Sequence, residues 1–466
     1  MSEGQRVHLP VYDRVSSLAK DGRRQFVVPA DVKGRFVLAR RVVFALLIGI
    51  WALLPWIPIN GRPALFLDVP LRRFYLFGGS FNAQDFWLVF FVLTAVLFSL
   101  VYATALLGRA WCGWACPQTV FLEGVFRPIE RLIEGPRNIH LKRDSGPWTA
   151  NRVARKVAKH TLFVVAAALV SHVFLAYFVS IPSLLEMVRR SPAEHPQAFA
   201  WMVATTAIFY GNFAWFREQL CLVICPYGRL QGVLVDDDSL VVGYDVKRGE
   251  PRGKGARKKA EDAPARGDCV DCNRCVVVCP TGIDIRNGLQ LDCIACTQCI
   301  DACDDVMTRL EKPRGLIRYD SMRGLRGEKR RIVRPRLVFY TVLLLIGAVV
   351  GFFAFQRHTL FEANLLRLPG APYVVEGEVV RNSLEIHLLN KVDREALFTL
   401  ELPEEGVEVV TPSTEITLPA MGSRRVPLFV RFPRTGEAPP RLRVVVRMQG
   451  VEEPRVVEAP LLAPAR

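Results

Sequence analysis

Residues 269–280 read CVDCNRCVVVCP, and residues 293–303 read CIACTQCIDAC. Each stretch spaces four cysteines as C-x2-C-x2-C-x3-C, and Pro280 follows the first set. Spacing this tight lets three thiolates from one short loop cap three irons of a cubane. Zinc sites rarely repeat C-x2-C-x2-C, and structural disulfides do not suit a reducing compartment. The middle of the chain is therefore expected to fold around metal rather than around a large apolar core.

The repeated spacing is the signature of bacterial two-cluster ferredoxins. In such ferredoxins the fourth ligand of each cluster comes from the other repeat. On that likeness Cys269, Cys272, Cys275 and Cys303 hold one [4Fe-4S] cluster, and Cys293, Cys296, Cys299 and Cys279 hold the other. Asp304, not proline, follows Cys303.

On either side of this segment the chain turns apolar. It has 466 residues, 51% hydrophobic, with a mean hydropathy of +0.21. The apolar residues gather into five runs near the length that spans a bilayer, which excludes an ordinary soluble enzyme. The runs cover about Val42–Ile59, Asp85–Leu107, Thr161–Ile181, Gln197–Phe216 and Leu337–Phe355. The fourth is the most polar, with Thr205, Thr206 and Asn212.

Charge orients these spans. The chain carries a net +16. Residues 357–466 hold 14 basic and 15 acidic side chains and none of the 12 cysteines, so the rest carries a net +17. The basic residues crowd before the first span (Arg35, Arg40 and Arg41 among them), between the second and third, and after the fourth. By the positive-inside rule the N-terminus is cytoplasmic and residues 357–466 lie outside. No cleavable signal peptide is expected, since about forty mostly polar residues precede the first apolar run. The basic excess suits an anionic membrane surface better than nucleic acid.

Four cysteines remain, in Cys112-Gly-Trp-Ala-Cys116-Pro117 and Cys221-Leu-Val-Ile-Cys225-Pro226. Both are C-x3-C-P, and both follow an even-numbered span, which sets them at the cytoplasmic end of the membrane domain. On a regular helix, i and i+4 would share a face. Two such pairs on neighbouring helices would converge into four thiolates suited to Cu(I), zinc or an iron–sulfur cluster. A redox dithiol and inert packing are the other readings. His160 and His172, on the third span, are about 120° apart around a helix and roughly 18 Å along it, so they cannot share one metal. His172 at bilayer depth is a candidate ligand or proton relay. The chain has no C-x-x-C-H, Walker or G-x-G-x-x-G motif, so no nucleotide site is expected.

The tail alternates apolar with polar, as in EGEVVRNSLEIHLLNK (376–391) and EITLPAMGSRRVPLFVRF (415–432), and RLRVVVRM (441–448) adds a β-branched run. A turn signal, Arg434-Thr435-Gly436, separates the last two. About 110 residues of short strands suggest an immunoglobulin-like sandwich held by its core alone. The expected order is thus a cytoplasmic segment (1–41), a four-span membrane domain (42–242), a charged linker (243–267), the two-cluster segment (268–310), a basic connector (311–336), a fifth transmembrane helix (337–356) and an extracytoplasmic domain (357–466).

This order resembles the FixG/RdxA/CcoG family, accessory proteins of cbb3-type cytochrome c oxidase in bacteria. The resemblance rests on WCGWACPQTVF (111–121), CLVICPYGRLQG (221–232), the eight ferredoxin cysteines and CIDACDDVM (299–307). It covers nearly the whole chain beyond the first forty residues. It implies an inner-membrane protein that reduces Cu(II) to Cu(I) for the oxidase's copper centre. Copper would be held by Cys112, Cys116, Cys221 and Cys225, and the partners would be oxidase subunits or copper-delivery proteins with an unidentified electron donor. Two other readings stand beside it. One is an electron-transfer subunit drawing on quinol, like the membrane ferredoxins of periplasmic nitrate reduction. The other is a non-enzymatic assembly scaffold.

Overall fold

The computed structural model describes residues 26–82, 85–253, 266–356, 359–402, 406–434 and 441–464. The first 25 residues of the expected cytoplasmic segment, the middle of the charged linker and the Thr435–Gly436 turn lie outside these. The chain divides into two compact units, residues 1–58 with 92–348, and residues 59–91 with 349–466.

Four helices among the described residues are long and apolar enough to cross a membrane: Arg35–Trp56, Trp87–Leu107, Ala150–Leu175 and Pro335–Gln356. The chain is a membrane protein. The expected fourth span is different. Its α-helix, Pro196–Gly211, is 16 residues long and contains Thr205 and Thr206, and it widens at Asn212–Phe216 into a π turn, so Asn212 sits at a break in regular winding.

Two helices also start earlier than the apolar pattern suggests. The first begins at Arg35, so Arg40 and Arg41 are helical rather than in a preceding loop, and Arg40 is buried. Its first backbone N–H groups need acceptors, because Gly34 offers none. Asp301, from the cysteine segment, supplies them, accepting from Val37 N at 2.8 Å and Phe36 N at 3.3 Å. The third helix begins at Ala150, capped by Thr149. It buries Lys159 against Glu130 and Glu134 at 3.6 and 3.3 Å. Charge pairing inside the protein lets these basic residues stay within helices that apolar periodicity alone would have trimmed.

The interior of the first unit is partly aromatic and partly ionic. Phe126 stacks on Phe213 with ring centroids 4.4 Å apart and meets Phe163 edge-on. Beside them Arg217 pairs with Glu130 at 3.0 Å, and Arg127 reaches Glu218 at 3.4 Å and the carbonyl of Pro280 at 3.1 Å. The linker starts later than expected. Val241–Tyr244 is a buried strand paired antiparallel with Ile317–Asp320.

The second unit holds two antiparallel sheets. One runs Glu408–Val410, Ser423–Pro433, Val379–Asn390, Phe361–Arg367, with Val374–Glu376 also on Val379–Asn390. The other runs Glu415–Leu418, Ala396–Glu401, Arg441–Met448, Arg455–Pro460. Side-chain alternation aims one face of each strand inward, and the register sets Leu384 opposite Leu428. Leu384, Ile386, Leu388, Phe398, Leu428, Val430, Leu442, Val444 and Val446 are fully buried. The stretch 415–432 is two strands in different sheets, parted at Pro419–Gly422, where proline interrupts strand hydrogen bonding. The loop between the first two spans, expected within the membrane domain, groups with this unit. Asp85 forms a buried pair with Lys391 at 2.6 Å, and Arg62 meets Asp393 at 2.9 Å.

Candidate iron–sulfur and thiol site

The two ferredoxin-like loops share one backbone shape. Asp271 and Asn273 flank Cys272 with φ of 52° and 57°, and Ala295 and Thr297 flank Cys296 with 53° and 66°. Left-handed residues on both sides of the middle cysteine turn successive N–H groups toward one concave side, the arrangement that receives anions and iron–sulfur centres. Non-glycine residues hold such angles only where the surroundings insist. The N–H groups of Ala295 and Gln298 bond to the sulfurs of Cys293 and Cys296.

Each loop opens on a cavity. One is lined by Cys269, Cys272, Cys275 and Cys303, with Tyr244, Met307 and Leu316. The other is lined by Cys279, Cys293, Cys296 and Cys299, with Val242, Ile283 and Ile285. Cys275 borders both, so the cavities adjoin. Four cysteines thus line one cavity and five the other, with Cys275 common to both.

The residues fit an iron–sulfur cluster better than a single ion. Among the described residues no three His, Cys, Asp or Glu side chains converge closely enough to hold one metal ion. Thiolates 2.3 Å from one zinc would sit only about 3.8 Å apart, whereas a cubane keeps its four ligands wider. Burial pushes the thiols of Cys275, Cys296 and Cys303 up to about 12 and that of Cys293 to about 11, and raises Cys299 well above the ordinary range. Bare thiolates are unstable in such a place, so bound iron must supply the compensating charge.

The two C-x3-C-P pairs also match one another in backbone. Cys116 N bonds to Trp111 O at 2.9 Å and Cys225 N to Leu220 O at 2.8 Å, five residues back in each case. The second cysteine of each pair is extended and caps a helix that starts with Pro117 or Pro226. The expectation of two sulfurs on one regular helix face is therefore corrected. Proline has no N–H to continue the α-helical ladder, so the backbone widens before it.

The pairs converge. Burial and then the neighbouring Cys116, Cys112 and Cys225 push the Cys221 thiol up to about 12. Burial also raises Cys112, against the pull of Arg109 and Gln231. Gln231 is fully buried. Its Nε2 donates to Cys112 Sγ at 3.3 Å, and its Oε1 accepts from Arg109 Nε at 2.6 Å. Arg109 also donates to Gly228 O at 3.1 Å, while its buried Nη1 has no partner among the described residues. A half-buried cation with a buried, unanswered donor suits a site that carries negative charge. The sequence reading gave no role to Arg109, which precedes the first motif, or to Gln231, which lies within 221–232 but outside its C-x3-C-P.

The histidines take local partners. His172 Nδ1 lies 2.7 Å from Ala168 O, one turn back on its own helix, and His160 Nδ1 lies 3.0 Å from the Tyr210 hydroxyl.

Three families match the chain. A "4Fe-4S binding domain" matches residues 86–136, a "4Fe-4S dicluster domain" residues 216–322, and the "IG-like fold at C-terminal of FixG" residues 351–460. Nitrogen fixation protein FixG of Rhizobium meliloti is 36% identical over 87% of this chain and 82% of its own. Protein RdxA of Cereibacter sphaeroides is 35% identical over 84% of each. The crystal structure of a FixG-related protein from Vibrio parahaemolyticus aligns with 15% identity and a TM-score of 0.20, covering 22% of this chain and 94% of that one.

Proposed function

The chain belongs to the FixG/RdxA family, and from that premise we propose that this membrane iron–sulfur protein is an oxidoreductase that reduces Cu(II) to Cu(I) for assembly of a cbb3-type cytochrome c oxidase. Cys269, Cys272, Cys275 and Cys303 hold one [4Fe-4S] cluster, and Cys279, Cys293, Cys296 and Cys299 the other. Bound there, the clusters supply one-electron redox chemistry. Copper is the substrate, taken by Cys112, Cys116, Cys221 and Cys225.

What supports this reading is a pair of matching C-x3-C-P turns whose four soft thiols influence one another electrostatically. Thiolates prefer Cu(I) to Cu(II), which favours the reduced product. Arg109 and Gln231 hold Cys112 in place and offset the charge of the thiolates. One electron enters from an unidentified one-electron donor, and Cu(II) takes it to become Cu(I), with no atom transferred. The chain spans a bacterial inner membrane with its cysteines on the cytoplasmic side and residues 357–466 in the periplasm, where they meet oxidase subunits or copper-delivery proteins.

A second reading has one specific support. The matched 4Fe-4S binding domain covers Cys112 and Cys116, as it would if the four thiols held a third cluster in an electron-transfer subunit. Replacing Cys112, Cys116, Cys221 and Cys225 together by Ser decides between them. On the copper reading the variant keeps all its iron but loses copper binding and Cu(II) reduction. Loss of iron in the variant favours the third cluster, and full Cu(II) reduction by it removes the copper assignment.

A further inference from the structure

The two thiol-rich regions come into backbone contact at Gly113, within the first unit. Gly113, next to Cys112, has no room for a side chain. A Cβ there would lie 2.5 Å from Ile294 O and 2.9 Å from the carbonyl carbon and oxygen of Ala295. Ile294 and Ala295 are the residues between Cys293 and Cys296. A single peptide on each side therefore separates a C-x3-C-P cysteine from the cysteines of the second cavity.

Three sets of contacts clamp this junction. Arg40, buried on the first helix, donates Nε to Gly113 O at 2.9 Å. Its Nη1 lies 3.1 Å from the Gln298 side-chain oxygen, and its charge reaches Cys296. Trp114 Nε1 donates to the Tyr319 hydroxyl at 3.0 Å, which donates to Ala295 O at 2.8 Å. Arg109 faces Cys112 and Cys221 on one side and Cys293 on the other. Arg40 Nη2 is buried without a partner among the described residues, an arrangement that stabilises added negative charge beside it.

We propose that the contact of Gly113 with the Ile294–Ala295 peptide is the route by which electrons pass between the ferredoxin-like segment and the four membrane-proximal thiols, with Arg40 as the positioning cation that makes the second cavity the easier place to add an electron. The inference rests on the copper-reductase reading. Each transfer moves one electron, supplied by dithionite in the test below, to one Cu(II) and yields one Cu(I), and no bond forms or breaks. Electron transfer falls off steeply with distance, so backbone contact here matters more than side-chain chemistry. Only glycine permits it.

The test uses the full-length protein in detergent, anaerobically reduced with dithionite. In Gly113→Val, iron content and the reduced EPR spectrum stay as in wild type. Reoxidation by Cu(II) slows roughly tenfold to a hundredfold, the usual consequence of an ångström-scale misplacement of reacting partners. Gly113→Ala, which adds only the Cβ, stands in should the valine variant lose iron. Arg40→Gln moves the midpoint potential of one cluster to a more negative value by about 59 mV, a tenfold change in its reduced-to-oxidised ratio, and Arg40→Lys restores most of it. An iron-replete Gly113 variant that reoxidises at the wild-type rate overturns the route, and unchanged potentials in Arg40→Gln overturn the role of Arg40. The Cys112/Cys116/Cys221/Cys225→Ser variant separates the two levels. If it reoxidises at full rate, the copper-site reading has failed. If it is dead while the Gly113 variants are normal, only the route has failed.

Discussion

The two units of this protein are built on opposite principles. The β-sandwich buries Leu384, Leu388, Phe398, Leu428 and Leu442 in an apolar core of the kind that holds itself together. The cysteine-bearing unit buries Arg127, Glu130, Glu134, Lys159, Arg217 and Glu218, and its ferredoxin-like segment surrounds two cavities lined by thiols. Apolar burial tolerates small changes in shape and fails by loss of volume. Buried charge and metal ligation fail by loss of a partner. A domain that carries electrons needs charged and soft groups inside, and it accepts dependence on iron in return.

The largest expected effect separates the units outright. Chelating iron, or replacing Cys296 by Ser, collapses the protection of residues 268–310 in hydrogen exchange of the full-length protein, because metal-binding energy is folding energy there. The sandwich strands keep their protection. Equal loss in both units would break the comparison.

Next is Arg217→Met, which strips Glu130 of its closest partner. Breaking a buried pair in this way costs about 3–5 kcal/mol, measured as the fall in stability of the helical unit with the sandwich unaffected. The matching cut in the other unit is Leu428→Ala, which costs about 2–5 kcal/mol through lost contacts and the cavity left behind. It is to be read from exchange at Val379–Asn390 and Ser423–Pro433. A near-neutral result for Leu428→Ala would mean that the sandwich is not a self-sufficient core.

The smallest effect is a pH dependence confined to the first unit. Burial alone would raise the Glu130 carboxyl, but the charges of Arg217 and Lys159 outweigh it and hold it down to about 2 from an ordinary 4.5. A lowered carboxylate contributes stability that is complete above about 4.5 and lost as pH falls through about 2. The stability gap between wild type and Glu130→Gln therefore narrows by about 2–3 kcal/mol over that window, at 1.36 kcal/mol per pH unit. A gap constant with pH would mean that Glu130 is not ionised in the folded protein.

Much of this was legible in the residues. The eight ferredoxin cysteines and the tail strands announce themselves by spacing and alternation, which local backbone geometry imposes directly. The helix limits were less legible. Arg40 and Lys159 both read as loop charges, because their partners, Gly113 O for one and Glu130 and Glu134 for the other, are far away in sequence. The C-x3-C-P pairs were recognisable, yet the wide turn before each proline was not, since i and i+4 share a face only on a regular α-helix.

The sequence by itself determined which residues can ligate, which runs can cross a bilayer and which strands alternate, since these depend on residue type and short-range period. Only the tertiary structure decided that two cysteine-lined cavities adjoin at Cys275, that Arg109 and Gln231 attend Cys112, that Asp301 caps the first helix, and that Gly113 lies against Ile294 and Ala295. Each of these joins groups distant in the chain, and whether such groups meet depends on packing that no local pattern records.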